Sequence, residues 1–283
     1  MRLSPRELRN RAALAREHYA HCDLCAHQCN VDRTSGPAGV CQEGDGLFLA
    51  GAGVHHGEEP ALAPSGVVLI AGCNLACQTC ETWELSLERR GAVETSPAQL
   101  AALLLDLEKR GARNANFVTP THVLPALLEG LAVAAEHGFS LPVVWNCGGY
   151  ESVEALRLLD GVVDVYLPDA KYGDDAAAYE LSGCRGYSAA LAASLREMHR
   201  QVETIVRHLV LPAGAGAAEK LMPLIASVSP DLCVNVLSQY RPVYRASRFP
   251  VIARGVTAEE VAATVRAARA AGLRKVLVDG APA

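Results

Sequence analysis

A chain of 283 residues, half of them apolar and 20% charged, holds enough material for one large buried core and a small addition to it. A net charge of −5 with the signs interspersed, and only 5% aromatic residues, argue against a nucleic-acid surface or a base-stacking platform. No apolar run approaches the ~20 residues that cross a bilayer, which argues against membrane insertion.

In chain order, Met1–Ala20 alternates Arg and Glu with Leu and Ala and reads as an amphipathic helix opened by Ser4-Pro5. It does not read as a signal peptide, so a cytoplasmic location is expected. In a reducing compartment, ten clustered cysteines point to metal rather than disulfides. Cys22, Cys25, Cys29 and Cys41 fall within twenty residues. Four thiolates can close a zinc site or hold an iron–sulfur cluster; the bland alternative is a set of unpaired thiols. The Gly- and Pro-rich stretch from Glu43 to Pro64 reads as a connecting hairpin or loop. Residues 1–64 are therefore expected to form a cysteine-rich module ahead of a main domain over 65–283. Within that stretch, His55, His56, Glu58 and Glu59 have the composition of a metal cluster, but a solvated loop is the simpler reading.

From Gly66 onward, short apolar runs alternate with Ala/Leu-rich helical stretches. Strands are predicted over Val67–Ala71, Ala115–Val118, Pro142–Trp145, Val163–Leu167, Thr204–Leu211 and Leu232–Val236. Helices are predicted near Pro97–Arg110, Val123–His137, Ser152–Leu159, Ser188–His199 and Ala217–Ser227. Helix Thr257–Ala271 and a strand Lys275–Asp279 close the series. This alternation predicts an α/β fold with a parallel sheet covered on both faces.

Cys73-Asn74-Leu75-Ala76-Cys77-Gln78-Thr79-Cys80 follows the first of those strands, where α/β barrels carry their active-site loops. A cubane cluster takes four thiolates, so a loop that supplies three leaves one iron open to an outside ligand. An open iron can chelate the amino and carboxylate groups of S-adenosylmethionine (SAM) and cleave it reductively to a 5′-deoxyadenosyl radical. A zinc knuckle or buried free thiols are the alternatives.

These residues resemble the radical SAM superfamily, and more closely the uncharacterised relatives of pyruvate formate-lyase activating enzyme. The resemblance runs through Cys22-x-x-Cys25-x-x-x-Cys29, Gly36-x-x-Gly39-x-Cys41, His56–Pro60, the three-cysteine loop, Val118–His122, Gly148–Tyr150, Asp164–Lys171, Arg207–Pro212 and Gln239-Tyr240. Two departures stand out: Thr79 where such loops usually carry an aromatic residue, and Glu81-Thr82 where relatives often have Gln-Asn. The resemblance implies an open, partial (β/α)6 barrel of TIM type and a 4Fe–4S cluster on Cys73, Cys77 and Cys80. It further implies SAM as cosubstrate and an electron donor such as ferredoxin or flavodoxin. Activation or modification of a polypeptide, as by glycyl-radical activases, is the leading expectation. Radical chemistry on a small metabolite is the alternative enzyme, and a scaffold or electron-transfer protein that does not cleave SAM is the alternative class.

Candidate cofactor contacts lie at predicted strand ends, at Thr119 and Thr121, Asn146, and Asp169 and Lys171, and inside an apolar strand at His208. Thr121 has a second reading as a helix cap, and Asp169 and Lys171 as a simple ion pair. Alternation places Arg207 and His208 on opposite faces of their strand, so at most one points inward. The cluster loop and the N-terminal cysteines are far apart in sequence, which predicts two independent metal sites.

Overall fold

The structure, a computed structural model, describes residues 3–57 and 59–283. The first helix, α1 (Pro5–Glu17), opens where Ser4 accepts from the Glu7 N–H while the Glu7 side chain returns the bond to the Ser4 backbone. Its apolar stripe of Leu8, Ala12 and Ala15 is buried against α4 (Leu124–Glu136). Arg9–Glu136 (2.5 Å) and Arg16–Glu129 (2.7 Å) flank that seam.

Among the described residues, ten strands form one sheet. They are β1 (Phe48–His55), β2 (Ser65–Ile70), β3 (Val93–Glu94), β4 (Ala115–Val118), β5 (Val143–Cys147), β6 (Val165–Pro168), β7 (Glu203–Leu209), β8 (Cys233–Leu237), β9 (Lys275–Val278) and β10 (Ala281–Pro282). Their order is β10-β9-β8-β7-β6-β5-β4-β2-β1-β3. From β2 to β9 every pairing is parallel, whereas β1, β3 and β10 are antiparallel additions at the edges. The two ends of the order do not pair, so the barrel is not closed.

The remaining helices are α2 (Trp83–Ser86), α3 (Pro97–Lys109), α5 (Val153–Leu158), α6 (Asp175–Ser182), α7 (Tyr187–Gln201), α8 (Ala218–Val228) and α9 (Ala258–Ala270). One face of the strands, with Phe117, Trp145, Tyr166, Val206 and Val234, is buried in the main core together with residues of these helices. Alternation turns Val144, Leu167 and Ile205 to the other face, where Leu62 joins them in a second, smaller cluster. None of the described helices is long and apolar enough to cross a membrane.

The division expected at residue 64 falls inside a hairpin, because β1 and β2 pair from Leu49↔Ile70 to His55↔Ser65. Their connection runs under the sheet. Glu59 is buried, its carboxylate 2.8 Å from Arg207 Nε on β7 and 3.0 Å from Asn235 Nδ2 on β8. The Leu62 carbonyl accepts from Asn114 Nδ2 at 2.6 Å. A side chain at Gly280, between β9 and β10, would press on Pro60 at 2.8 Å, so this connection touches both flanks of the open sheet. His55 and His56 are exposed while Glu59 is engaged with Arg207, so these three do not gather; Glu58 lies outside the described residues.

Candidate active site

The connection after β2 is set by close packing. Gly72 has φ +79, and a Cβ there would fall within the van der Waals radius of the Glu43 carboxylate. Thr119, just past β4, is a β-branched residue at φ +53 that donates its hydroxyl to the Gly72 carbonyl at 3.2 Å. A left-handed threonine costs of order 1–2 kcal/mol, and such strain concentrates at functional sites.

The three-cysteine loop is held by α6. The N–H of Gln78 donates to the Leu181 carbonyl (2.8 Å) and that of Ala76 to the Ser182 carbonyl (3.3 Å). Donors also reach the sulfurs. Leu75 N–H lies 3.3 Å from Cys73 Sγ, and Ser182 Oγ, itself 2.7 Å from the Tyr172 hydroxyl, lies 3.0 Å from Cys77 Sγ. Burial pushes the Cys73 and Cys77 thiols above their ordinary range; a bound metal would reverse that and take the thiolates.

All three cysteines line a cavity of about 230 Å³. Its other walls are Val118 at the end of β4 and Thr119 just past it, Asn146 on β5, Asp169 and Lys171 after β6, Arg207 and Leu209 on β7, and Leu237 and Gln239 at β8. In a flat sheet six neighbouring strands span roughly 24 Å, so a single cavity bounded by β2 and β8 requires a strongly curved one. The Asp169 carboxylate lies 2.6 Å from the Lys171 ammonium. Burial opposes the lysine's charge, but Asp169 and the nearby Cys77 sulfur hold its pKa well above the ordinary value. Arg207 also faces this cavity while its guanidinium engages Glu59.

Thr119, Asn146, Asp169 and Lys171 are thus brought together with the three cysteines, whereas two of the candidates are not. Thr121 is buried away from the cavity, accepting from Trp145 Nε1 at 3.0 Å, and it caps no helix. His208 faces the helices and contacts the Ala170 carbonyl at 2.8 Å; of the two strand neighbours it is Arg207 that points inward. Gly148 lines the cavity and lies against Leu75, while Gly149 lies against Leu191 and the Asp169 carbonyl. Trp83 stacks on Tyr244, ring centroids 5.1 Å apart, and Arg245 N–H binds the Gln78 carbonyl at 3.0 Å, so segment 244–245 lies against the loop. Sequence reasoning missed Ser182 and Tyr172 and gave Gln239 no role beyond its place in the resemblance; the Asp174 and Gly183 caps around α6 were the available signal for the first.

Cys22, Cys25, Cys29 and Cys41 line a second, smaller cavity together with His27, Arg33, Asn74 and His122. Asn74 ties it to the first: its carbonyl accepts from His27 Nε2 at 2.9 Å, and its own neighbour is Cys73. The two cysteine sets, far apart in sequence, are therefore neighbours in the structure, each with its own cavity. Among the described residues, no three His, Cys, Asp or Glu side chains are gathered tightly enough to hold a single metal ion.

No model of a known protein family matches the sequence. The chain is 31% identical over 268 residues to the uncharacterized protein MJ0674 of Methanocaldococcus jannaschii, covering 92% of this chain and 77% of that one. Among solved structures, the crystal structure of HydG, a maturase of the FeFe-hydrogenase, aligns with a TM-score of 0.52 and 12% identity over 73% of this chain. The chain spans 49% of the maturase's length, and at this identity the likeness is one of fold. A structure of TYW1 with a lysine-pyruvate adduct bound aligns with a TM-score of 0.48 and 9% identity, over 93% of this chain and 82% of that one.

Proposed function

The chain belongs to the family of MJ0674, and on that premise we propose that it is a radical SAM enzyme built on an open (β/α)6-type barrel. The observation that carries this reading is the three-cysteine loop facing a cavity walled by the carboxyl ends of six neighbouring parallel strands. Its fold likeness to the maturase, a radical SAM enzyme, points the same way.

The residues fit a 4Fe–4S cluster. Three thiols face one cavity, N–H and O–H donors are aimed at two of the sulfurs, and a half-buried ammonium stands near Cys77. Held by Cys73, Cys77 and Cys80, a cluster with one open iron would supply the one-electron reduction of SAM to methionine and a hydrogen-abstracting 5′-deoxyadenosyl radical. The protein's part is to place and shield the reactants. Lys171, kept charged by Asp169, offers a fixed cation to an anionic group, and Asp169 offers carboxylate oxygens to hydroxyls. Asn146 and Gln239 supply amide donors and acceptors, while Val118, Leu209 and Leu237 exclude water from the same space.

For the substrate, we favour a small molecule over the expected polypeptide. The observation behind this is the β1–β2 connection: Glu59 and Leu62 fill the lower lumen, leaving a cavity bounded by Thr119, Asn146 and Lys171 at the upper end.

Anaerobic incubation of the iron- and sulfide-reconstituted protein with SAM and dithionite tests the reading. The expected product is 5′-deoxyadenosine, abolished when Cys73, Cys77 or Cys80 is replaced by Ala. Turnover that survives any of these substitutions at the parent rate overturns it.

A further inference from the structure

The N-terminal cysteines have no part in the chemistry proposed above, yet the chain has shaped their surroundings. Cys22, Cys25, Cys29 and Cys41 converge on one cavity from separate turns. Left-handed residues flank them: Gln28 (φ 44) and Asn30 (φ 53) on either side of Cys29, and Gly39 (φ 74) and Gln42 (φ 54) around Cys41. Gly39 leaves the sulfur clear, since a side chain there would meet Cys29 Sγ at 3.2 Å. Arg33 Nη1 stands 3.7 Å from Cys22 Sγ. The backbone two positions past Cys25 and Cys41, at His27 and Glu43, favours the thiolate of each, and the Leu75 N–H, two positions past Cys73, lies 3.3 Å from that sulfur.

We infer that Cys22, Cys25, Cys29 and Cys41 hold a second, fully ligated iron–sulfur cluster that passes electrons to the cluster on Cys73, Cys77 and Cys80. This rests on the radical SAM reading for its electron acceptor, but not for the existence of the site. A single tetrahedral ion with bonds of about 2.3 Å draws its sulfurs to roughly 3.8 Å from one another. The described residues contain no such tight group, and the same is true of the three-cysteine loop. A cluster spreads its thiolates over several irons and suits four sulfurs arranged around a cavity. Four cysteines also leave no iron open, which limits the centre to electron transfer.

Its position suits that role. Asn74 lines the second cavity and Cys73 lines the first, so one peptide, about 3.8 Å between Cα atoms, separates the two centres' walls. The His27–Asn74 bond and the Asn74 Nδ2 contacts with the Tyr150 carbonyl (3.2 Å) and Glu151 (3.4 Å) hold that peptide rigidly. In the transfer, the second cluster loses one electron and the first gains it, with no bond made or broken. A one-electron carrier protein, or dithionite in the test tube, restores the second.

The test uses the whole chain reconstituted anaerobically with iron and sulfide. Iron, labile sulfide and zinc are counted in the parent, in a Cys22→Ser/Cys25→Ser variant and in a Cys73→Ser/Cys77→Ser/Cys80→Ser variant, each checked for folding by circular dichroism. Each variant is expected to keep about half the parent's iron. The triple variant, reduced with dithionite, should show the paramagnetic resonance signal of a reduced cluster. Zinc in place of iron in a folded triple variant, or no metal there, overturns the inference. If the double variant misfolds, the triple variant still decides the matter. Because that readout needs no SAM, a parent that fails to make 5′-deoxyadenosine sinks the proposed activity and leaves this site standing.

Discussion

At Gly72 a single hydrogen separates the cluster loop from the Glu43 carboxylate. Gly72→Ala is expected to cost more than about 2 kcal/mol, through overpacking and the left-handed backbone together. Adding Glu43→Ala should return part of that loss in a denaturant titration, because one of the two causes is a side chain. Gly173 offers the contrast. A methyl there would strike the backbone of Ala217 and Leu221, and no second substitution should rescue Gly173→Ala. His122 is a third residue with a global reach. Burial pushes its pKa down to about 4, while its ring bonds the Ala71 carbonyl and its own carbonyl accepts from Arg33. The unfolded chain binds a proton near pH 6.5 that the folded chain refuses until about pH 4. Its contribution is therefore full above pH 6.5 and is lost as the pH falls toward 4, by on the order of 3 kcal/mol. His122→Gln should flatten that part of the stability profile; an unchanged slope between pH 4 and 6.5 would count against the assignment.

Elements differ in how openly the sequence declares them. The parallel strands were legible because both faces are covered, so β4, β5 and β8 read as nearly unbroken apolar runs. The strand β1, Phe-Leu-Ala-Gly-Ala-Gly-Val-His, was not: its two glycines carry a turn signal, and its strand character comes from pairing with β2. In the site, the cysteine spacing and the strand-end polar residues could be read, since a local pattern fixes both. Which of Arg207 and His208 turns inward could not, because alternation gives the relation between neighbours and only the sheet's curvature gives the sign. The helix α6, of 8 residues, was missed although its caps were present. Its end cradles the cluster loop, which yields a prediction. Ser182→Ala removes the donor to Cys77 Sγ, so the midpoint potential of the reconstituted cluster should fall while iron content stays unchanged. Redox titration followed by absorbance reads this, and loss of iron would mean that Ser182 serves assembly instead.

At the scale of the whole molecule the open sheet poses a mechanical question. A closed barrel keeps its curvature because a ring of backbone hydrogen bonds has no ends, whereas here β3 and β10 finish the order without meeting. Something else must resist flattening, and the β1–β2 connection is placed to do so. It leaves β1 near one end of the sheet, anchors Glu59 to Arg207 and Asn235, rests Pro60 against Gly280 and seats Leu62 among Val144, Leu167 and Ile205. In an engineer's terms it is a tie-rod across an arch: the strands carry compression at the crown, and the connection carries tension at the feet. Leu62→Ala should then do more than remove about 2–5 kcal/mol of buried contact. It should slacken the tie, spread the strand ends and weaken SAM binding at a site Leu62 does not line, as calorimetry of the reconstituted protein would show. Unaltered SAM affinity in a destabilised Leu62→Ala variant would mean that the arch stands without its tie.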